Sequence, residues 1–299
     1  MAVATITLTP RAVWWSAVRP ATLAASVAPV LVGTAIAIDQ GSIRPFAGLG
    51  ALVVAVCMQL GVNFANDYSD HRRGADSPAR VGPVRAASSG LVPPSQVRGA
   101  AIAAFALAGA VGLVLSLATD WRLLIAGAAC LLAGWLYTGG PRPYGYVGLG
   151  ELFVFVFFGL VATGGTVYVE SLRITPLAIL FGCSMGFLAS AILVLNNLRD
   201  IDTDAAAGKR TLATLIGRQR TRFLLAVLTA AAFAVPIVVF MSQLAPVTVM
   251  AVLLAIPVAA VPVRTAFATT SAPALVAALK RMAVAELAFA LLLTVGLII

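Results

Sequence analysis

The sequence predicts an all-α integral membrane protein. Of its 299 residues, 61% are hydrophobic and only 10% are charged, and the mean hydropathy is +1.02. Soluble domains are roughly 45–50% apolar, so this composition is typical of a chain whose surface faces lipid. The long apolar runs lack the polar and apolar alternation of a transmembrane barrel, which leaves helices to satisfy the backbone in lipid.

About nine apolar runs are long enough to cross a membrane, since a spanning helix needs roughly 20 residues. The stretch before them, "AVWWSAVRP", predicts a short interfacial segment with aromatic anchors, and the N-terminus lacks the features of a cleaved signal peptide. The predicted spans are residues 21–38, 46–66, 98–117, 121–139, 148–169, 176–197, 221–241, 245–263 and 277–298.

Basic residues predict the orientation. With the N-terminus in the cytoplasm, every Lys and Arg except Arg44, Arg122 and Arg173 falls on the cytoplasmic side. This bias explains the net charge of +9 without nucleic-acid binding. We therefore expect a multi-pass protein of the inner (cytoplasmic) membrane. Two longer charged loops, 67–97 and 198–220, would form a cytoplasmic cap that carries the active site.

Two acidic motifs follow the second and sixth apolar runs. In the first, residues 63–76, Asn63, Asp67 and Asp70 are four and three apart, so a continued helix would carry them on one face. The second motif, residues 196–210, places its asparagine and aspartates four apart, at Asn196, Asp200 and Asp204. Both begin N-x-x-x-D, four helices apart, which suggests a parallel internal repeat with two facing half-sites.

Carboxylate and amide oxygens on two facing helices suit a hard divalent cation. Mg²⁺ typically takes one or two carboxylates together with substrate phosphate oxygens. Basic residues beside each motif, Arg72 and Arg73, and Lys209 and Arg210, could neutralise the remaining phosphate charge. The alternative is that these acids only end helices and face water. A diphosphate joined to a hydrocarbon chain between the helices would explain both features, and the pattern therefore favours a prenyl diphosphate.

The motifs resemble those of a known family. "NDYSDHRRGAD", "YTGGPRPYGY" and "NNLRDIDTDAAAGKRTLATLIG", with "RPATLAASVAPVLVGTA" before them, are similar to the UbiA superfamily of intramembrane prenyltransferases, in its 1,4-dihydroxy-2-naphthoate polyprenyltransferase (MenA) branch. The resemblance implies one UbiA-type bundle over residues 1–299. It also implies Mg²⁺-dependent transfer of a polyprenyl group from its diphosphate to 1,4-dihydroxy-2-naphthoate, with loss of CO₂, giving the menaquinone precursor demethylmenaquinone.

The resemblance also implies roles for individual residues. The acids would hold Mg²⁺ and the diphosphate, with either Asp70 or Asp76 completing the first half-site; the asparagines and Arg210 would bind substrate. Arg72 is a further substrate-binding candidate because of its position beside the first motif. The catalytic set is then Asp67, Asp70, Asp200, Asp204 and Lys209.

Several questions stay open at this point. Tyr68, Tyr137, Tyr144 and Tyr146 could stabilise an allylic cation with their ring faces, or could be interfacial tyrosines. Glu151 could reach the site or the interface. Competing functions are a UbiA-type enzyme with another acceptor, such as 4-hydroxybenzoate, and, more remotely, a cation-coupled transporter. The sequence predicts neither the prenyl chain length, the oligomeric state, the catalytic base nor the order of decarboxylation and alkylation.

Overall fold

The computed structural model describes residues 9–42, 44–74, 82 and 84–299, and within these ranges it contains helices and no strands. The predicted acid Asp76 lies outside the described residues. The helices are α1 (Pro10–Val18), α2 (Pro20–Asp39), α3 (Pro45–Arg72), α4 (Pro94–Ala118), α5 (Leu123–Leu136), α6 (Gly150–Ser171), α7 (Pro176–Ala206), α8 (Leu212–Met241), α9 (Val247–Ala268) and α10 (Ala272–Ile298).

Eight spans in the described part of the chain are long and apolar enough to cross a membrane, and the all-α membrane fold is confirmed. The ninth predicted span, residues 121–139, is the short helix α5. Its 14 residues rise about 21 Å at 1.5 Å per residue, less than the roughly 30 Å of a hydrocarbon core. The predicted interfacial segment is helix α1, which buries Val13 and Ala17.

Local sequence explains where these helices begin. Proline occupies the first position of α1, α2, α3, α4 and α7, where its missing N–H costs no intrahelical hydrogen bond. Threonine caps three starts: Thr9 accepts from the Ala12 amide, Thr175 from Ala178 and Thr211 from Thr214. Such starts fix which polar residues emerge at each end of the bundle.

Helices α3 and α7 continue well beyond their predicted apolar limits of 66 and 197. Each carries aspartates of its motif on added helical turns, so residues 67–72 of the predicted loop 67–97 and residues 198–206 of the predicted loop 198–220 are helix. Asp67 and Asp70 on these turns are buried against protein, each at 1% exposure, whereas Arg72 and Asp202 on the same turns are exposed. We call the end of the bundle where α3 and α7 finish the motif end.

Helix α7 lies at the centre of the core. Phe181, Met185, Leu188 and Leu195 on this helix are fully buried. Helix α6, which contains a π-helical segment at Phe155–Val161, packs closely on α7 through glycines. A Cβ on Gly159 would lie 2.5 Å from the Gly182 oxygen and from the Gly186 Cα. The spacing G-x-x-x-G on α7 thus provides the close backbone approach that is common in membrane bundles.

Candidate active site

The polar face of α3 is buried at the motif end. Asn63 donates to the Val18 carbonyl at 2.9 Å, which joins α3 to the end of α1. The two Asp67 oxygens accept the backbone amides of Ala86 and Ala87 at 2.8 and 3.1 Å. Asp67 therefore fixes the segment that follows α3 against the helix.

Asp70 is the meeting point of three distant parts of the chain. Its carboxylate accepts from the Arg85 guanidinium at 2.8 Å and from Lys209 Nζ at 3.0 Å, and the Tyr146 hydroxyl donates to it as well. Lys209 also lies 3.8 Å from Asp204. A single lysine thus joins the two motifs, and the prediction that both clusters lie at one end of the bundle agrees with this geometry.

Arginine organises the second motif. Arg199 donates from Nε to Asp200 at 2.7 Å and makes a further ion pair with the same carboxylate. The same guanidinium donates to the Asn196 side-chain oxygen at 2.9 Å. Its neighbour Asn197 donates to Glu151 at 2.9 Å, so Glu151 reaches the site end of α7 and not only the interface.

The loop between α5 and α6 closes the site. The Arg73 guanidinium donates to the Thr138 and Gly140 carbonyls at 2.6 and 2.5 Å and lies 5.2 Å from the centre of the Tyr146 ring. The Arg210 amide donates to the Tyr146 carbonyl at 3.1 Å, while its side chain is exposed. Burial, and then the Asp70 charge, raise the pKa of Tyr146 above its usual range, so its hydroxyl keeps its proton.

A cavity of about 310 Å³ leads from the motif end into the apolar interior. Arg19, Asn66 and Asn196 line its polar part. Its apolar wall is a row of aromatic rings in which Tyr144 stacks on Phe153 with centroids 4.0 Å apart, and Phe153 on Phe157 at 5.9 Å. Tyr137 packs against the Tyr144 ring at 5.4 Å. The cavity can therefore hold a polar head and a hydrocarbon chain together.

The structure separates the predicted site residues into two groups. One group lines the cavity with the aromatic wall and consists of Asn63, Asn196, Tyr137 and Tyr144; Lys209 joins the acids beside it. Tyr68 and Arg72 line a different cavity on another face of α3.

Sequence reasoning missed Arg85 and Arg199, although the "RVGPVR" and "NNLRD" stretches placed arginines beside both motifs. The sequence does not show which side chains meet in space. Arg85 follows Asp70 by 15 residues, across a segment that the structure describes only in part.

The comparisons with known proteins now bear on this geometry. The family model for the UbiA prenyltransferase family matches residues 26–285. The chain belongs to the UbiA prenyltransferase family. The resemblance predicted from the motifs is confirmed.

Two relatives in this family bear the same name. 1,4-Dihydroxy-2-naphthoate octaprenyltransferase from Mycobacterium tuberculosis is 49% identical over 211 residues, covering 71% of this chain and 72% of that protein. The Bacillus subtilis protein of that name is 31% identical over 286 residues, covering 95% and 92%. The predicted MenA branch of the family is thereby supported over most of the chain.

Solved structures of UbiA homologues share the fold. The apo structure from Aeropyrum pernix K1 matches with a TM-score of 0.69 and 17% identity, covering 92% of this chain and 96% of that one. The Archaeoglobus fulgidus homologue bound to DMAPP and Mg²⁺ matches with a TM-score of 0.62 and 16% identity, covering 94% and 99%. At these identities the likeness establishes a common helical bundle.

Proposed function

We propose that this protein transfers a polyprenyl group from a polyprenyl diphosphate to 1,4-dihydroxy-2-naphthoate, with loss of CO₂, to give demethylmenaquinone. The observation that carries the proposal is the 49% identity to a 1,4-dihydroxy-2-naphthoate octaprenyltransferase over about seven tenths of both chains. A cavity that is polar at the motif end and aromatic inside supports it. We also propose that residues 1–299 form one catalytic domain.

The diphosphate would bind at the motif end. Arg85 and Lys209 meet at Asp70, and phosphate oxygens pair with guanidinium and ammonium groups as readily as a carboxylate does. Tyr146 adds a hydroxyl beside the same carboxylate. These groups would orient the leaving group at the polar end of the cavity and offset its charge as the C–O bond breaks.

The donor set at this end fits Mg²⁺, which prefers oxygen ligands. Asp70, Asp200 and Asp204 offer carboxylates, and Asn66 and Asn196 offer amide oxygens beside the cavity. Within the described ranges no three acidic, histidine or cysteine side chains are grouped as a metal site; basic side chains pair with these carboxylates instead. When bound, Mg²⁺ would act as a Lewis acid on the diphosphate oxygens.

The aromatic wall would stabilise the positive charge on the reacting carbon. Loss of diphosphate leaves an allylic cation, and Tyr144 and Phe153, whose π-systems attract cations, line the cavity. The apolar lining would exclude water, which otherwise competes with the naphthol ring for the cation. Attack by the electron-rich ring forms the new C–C bond, and the ring carboxylate departs as CO₂.

A purified-enzyme assay tests this function. We expect the protein, with Mg²⁺, a polyprenyl diphosphate and 1,4-dihydroxy-2-naphthoate, to release diphosphate and CO₂ and to form a product with the mass of demethylmenaquinone. A mixture of prenyl donors in the same assay reports the preferred chain length. Preferential transfer to 4-hydroxybenzoate would replace the acceptor in this proposal, and solute movement in liposomes without transfer would favour a transporter.

We further propose that the protein lies in the cytoplasmic membrane with its motif end in the cytoplasm, as the distribution of basic residues supports. Arg122 and Asp202 are well exposed at opposite ends of the bundle, with side-chain exposures of 76% and 87%. We expect an impermeant maleimide to label Arg122→Cys on intact spheroplasts and Asp202→Cys only after permeabilisation. The three native cysteines, of which Cys57 is buried and Cys130 and Cys183 are half-buried, provide the background measurement in the unsubstituted protein. The reverse labelling pattern would invert the topology.

A further inference from the structure

A second cavity lies at the motif end, separate from the cavity with the aromatic wall. It has a volume of about 330 Å³ and is formed by α3, the start of α4 and the end of α5. Its polar and aromatic lining consists of Tyr68, Ser69, Arg72, Arg73, Arg98 and Trp135. At 3.6 residues per turn, Ser69 lies about 200° around α3 from Asp67, and Arg72 lies about 200° from Asp70. Helix α3 therefore has an acidic face toward the active site and a basic face toward this second cavity.

The basic cavity carries an excess of positive charge. Arg73 is fixed by two carbonyls, and the Arg98 guanidinium lies 5.9 Å from the centre of the Tyr68 ring. Arg72 and Arg98 are both exposed side chains. In the part of the chain that the structure describes, none of these three arginines is in ion-pair distance of a carboxylate. Three guanidinium groups with no carboxylate partner among the described residues attract an anion.

The donors in the cavity suit a phosphate group. Guanidinium groups present paired N–H donors that match phosphate oxygens, and the Ser69 hydroxyl adds another donor to the same lining. A carboxylate ligand would use fewer of these donors, because it has two oxygens where a phosphodiester presents two free oxygens and two ester oxygens. The cavity therefore suits a phosphate anion, whether this belongs to a lipid or is free in solution.

The surroundings of the cavity favour a lipid as its source. Trp135 is 40% exposed, and the apolar side chains of Ile102, Leu132 and Leu136 nearby on α4 and α5 are 52%, 61% and 42% exposed. Ile102 follows the lining residue Ala101 on α4, and Leu132 and Leu136 neighbour the lining residue Trp135 on α5, so exposed apolar side chains adjoin the basic lining on both helices. Partly exposed tryptophan is typical of the headgroup level. Basic pockets between transmembrane helices bind anionic headgroups in this manner.

We propose that the basic cavity binds the phosphate group of an anionic phospholipid, with its acyl chains against α4 and α5. The ligand contacts Arg72 at the end of α3, Arg73 directly after it and Arg98 on α4. It therefore links helices that meet beside the active site. Binding to the folded state alone raises stability by mass action. This site is independent of the prenyl-transfer reaction proposed above.

Thermal unfolding in nanodiscs tests the site. We expect phosphatidylglycerol, relative to phosphatidylcholine with the same acyl chains, to raise the Tm of the wild-type protein by a few °C, because a ligand that binds only the folded state stabilises it. The double variant Arg72→Gln/Arg98→Gln should lose this shift. Arg220→Gln/Arg264→Gln, which removes two other exposed arginines, should retain it. Equal shifts in both double variants would overturn the site in favour of general surface charge.

Two further arms keep the proposal testable if a variant fails to fold. Inorganic phosphate or diphosphate, added to the wild-type protein in phosphatidylcholine, should leave Tm unchanged; a shift equal to that of phosphatidylglycerol would assign the cavity to a free anion. A photoreactive phosphatidylglycerol should cross-link the wild-type protein within residues 65–73, 98–102 or 132–140. Cross-links confined to other segments would overturn the proposal.

Discussion

Asp200→Asn is expected to lower prenyl transfer at least about 100-fold in protein that remains inserted, a loss of about 2.7 kcal/mol of transition-state stabilisation. Asp200 is 8% exposed and holds Arg199, which in turn holds Asn196 at the cavity. Removing its charge leaves the buried Arg199 guanidinium without its anion. It also removes one carboxylate ligand from the motif end. The measurement is turnover per mole of folded protein, with the folded fraction determined by size exclusion.

Asp202→Asn is the matched control for this prediction, because it makes the same change two residues away on the same helix. Asp202 is 87% exposed on its side chain and pairs with Arg218 at 2.7 Å at the surface. Exposed pairs of this kind contribute about 0–1 kcal/mol, so turnover should stay within a few-fold of wild type. Near-wild-type activity in Asp200→Asn would remove Asp200 from the catalytic machinery.

Gly159→Ala is expected to destabilise the protein by about 1–3 kcal/mol, the range that overpacking of a well-packed interior costs. The new methyl group would lie 2.5 Å from backbone atoms of Gly182 and Gly186, which cannot move without shifting α6 away from α7. Because α6 carries Phe153 and Phe157, the aromatic wall would shift as well. We expect a clear fall in Tm together with reduced activity.

Gly164→Ala provides the comparison on the same helix. An added Cβ at Gly164 meets no atom within 4 Å, so only the change in helix propensity remains, and this favours alanine by about 0.5–1 kcal/mol. We expect its Tm to equal or exceed that of the wild type. A similar loss of Tm in both variants would show that close backbone contact is not what fixes α6 on α7.

Helix ends show where sequence reasoning loses accuracy. Hydropathy predicted that the spans end at 66 and 197, because charge begins there, yet both helices continue to Arg72 and Ala206. Hydropathy reports preference for lipid, whereas Asp67 and Asp70 lie in a protein interior with amides and basic side chains as partners. The spacing of Asn63, Asp67 and Asp70, four and three residues apart, predicted the end of α3 better than hydropathy did, since it fits a helix that continues through the charged stretch.

The sequence by itself determined the membrane-spanning helical class, the family and the two acidic motifs. Composition, the length of apolar runs and residue spacing are properties of the chain that do not depend on its tertiary contacts. Only the tertiary structure decided which charges meet: Asp70 receives Arg85, Tyr146 and Lys209, which follow it by 15, 76 and 139 residues. The tertiary structure likewise places Tyr68 and Arg72 in the lining of the second cavity. The physical reason is that a helix has faces, and the packing of its neighbours decides what each face contacts.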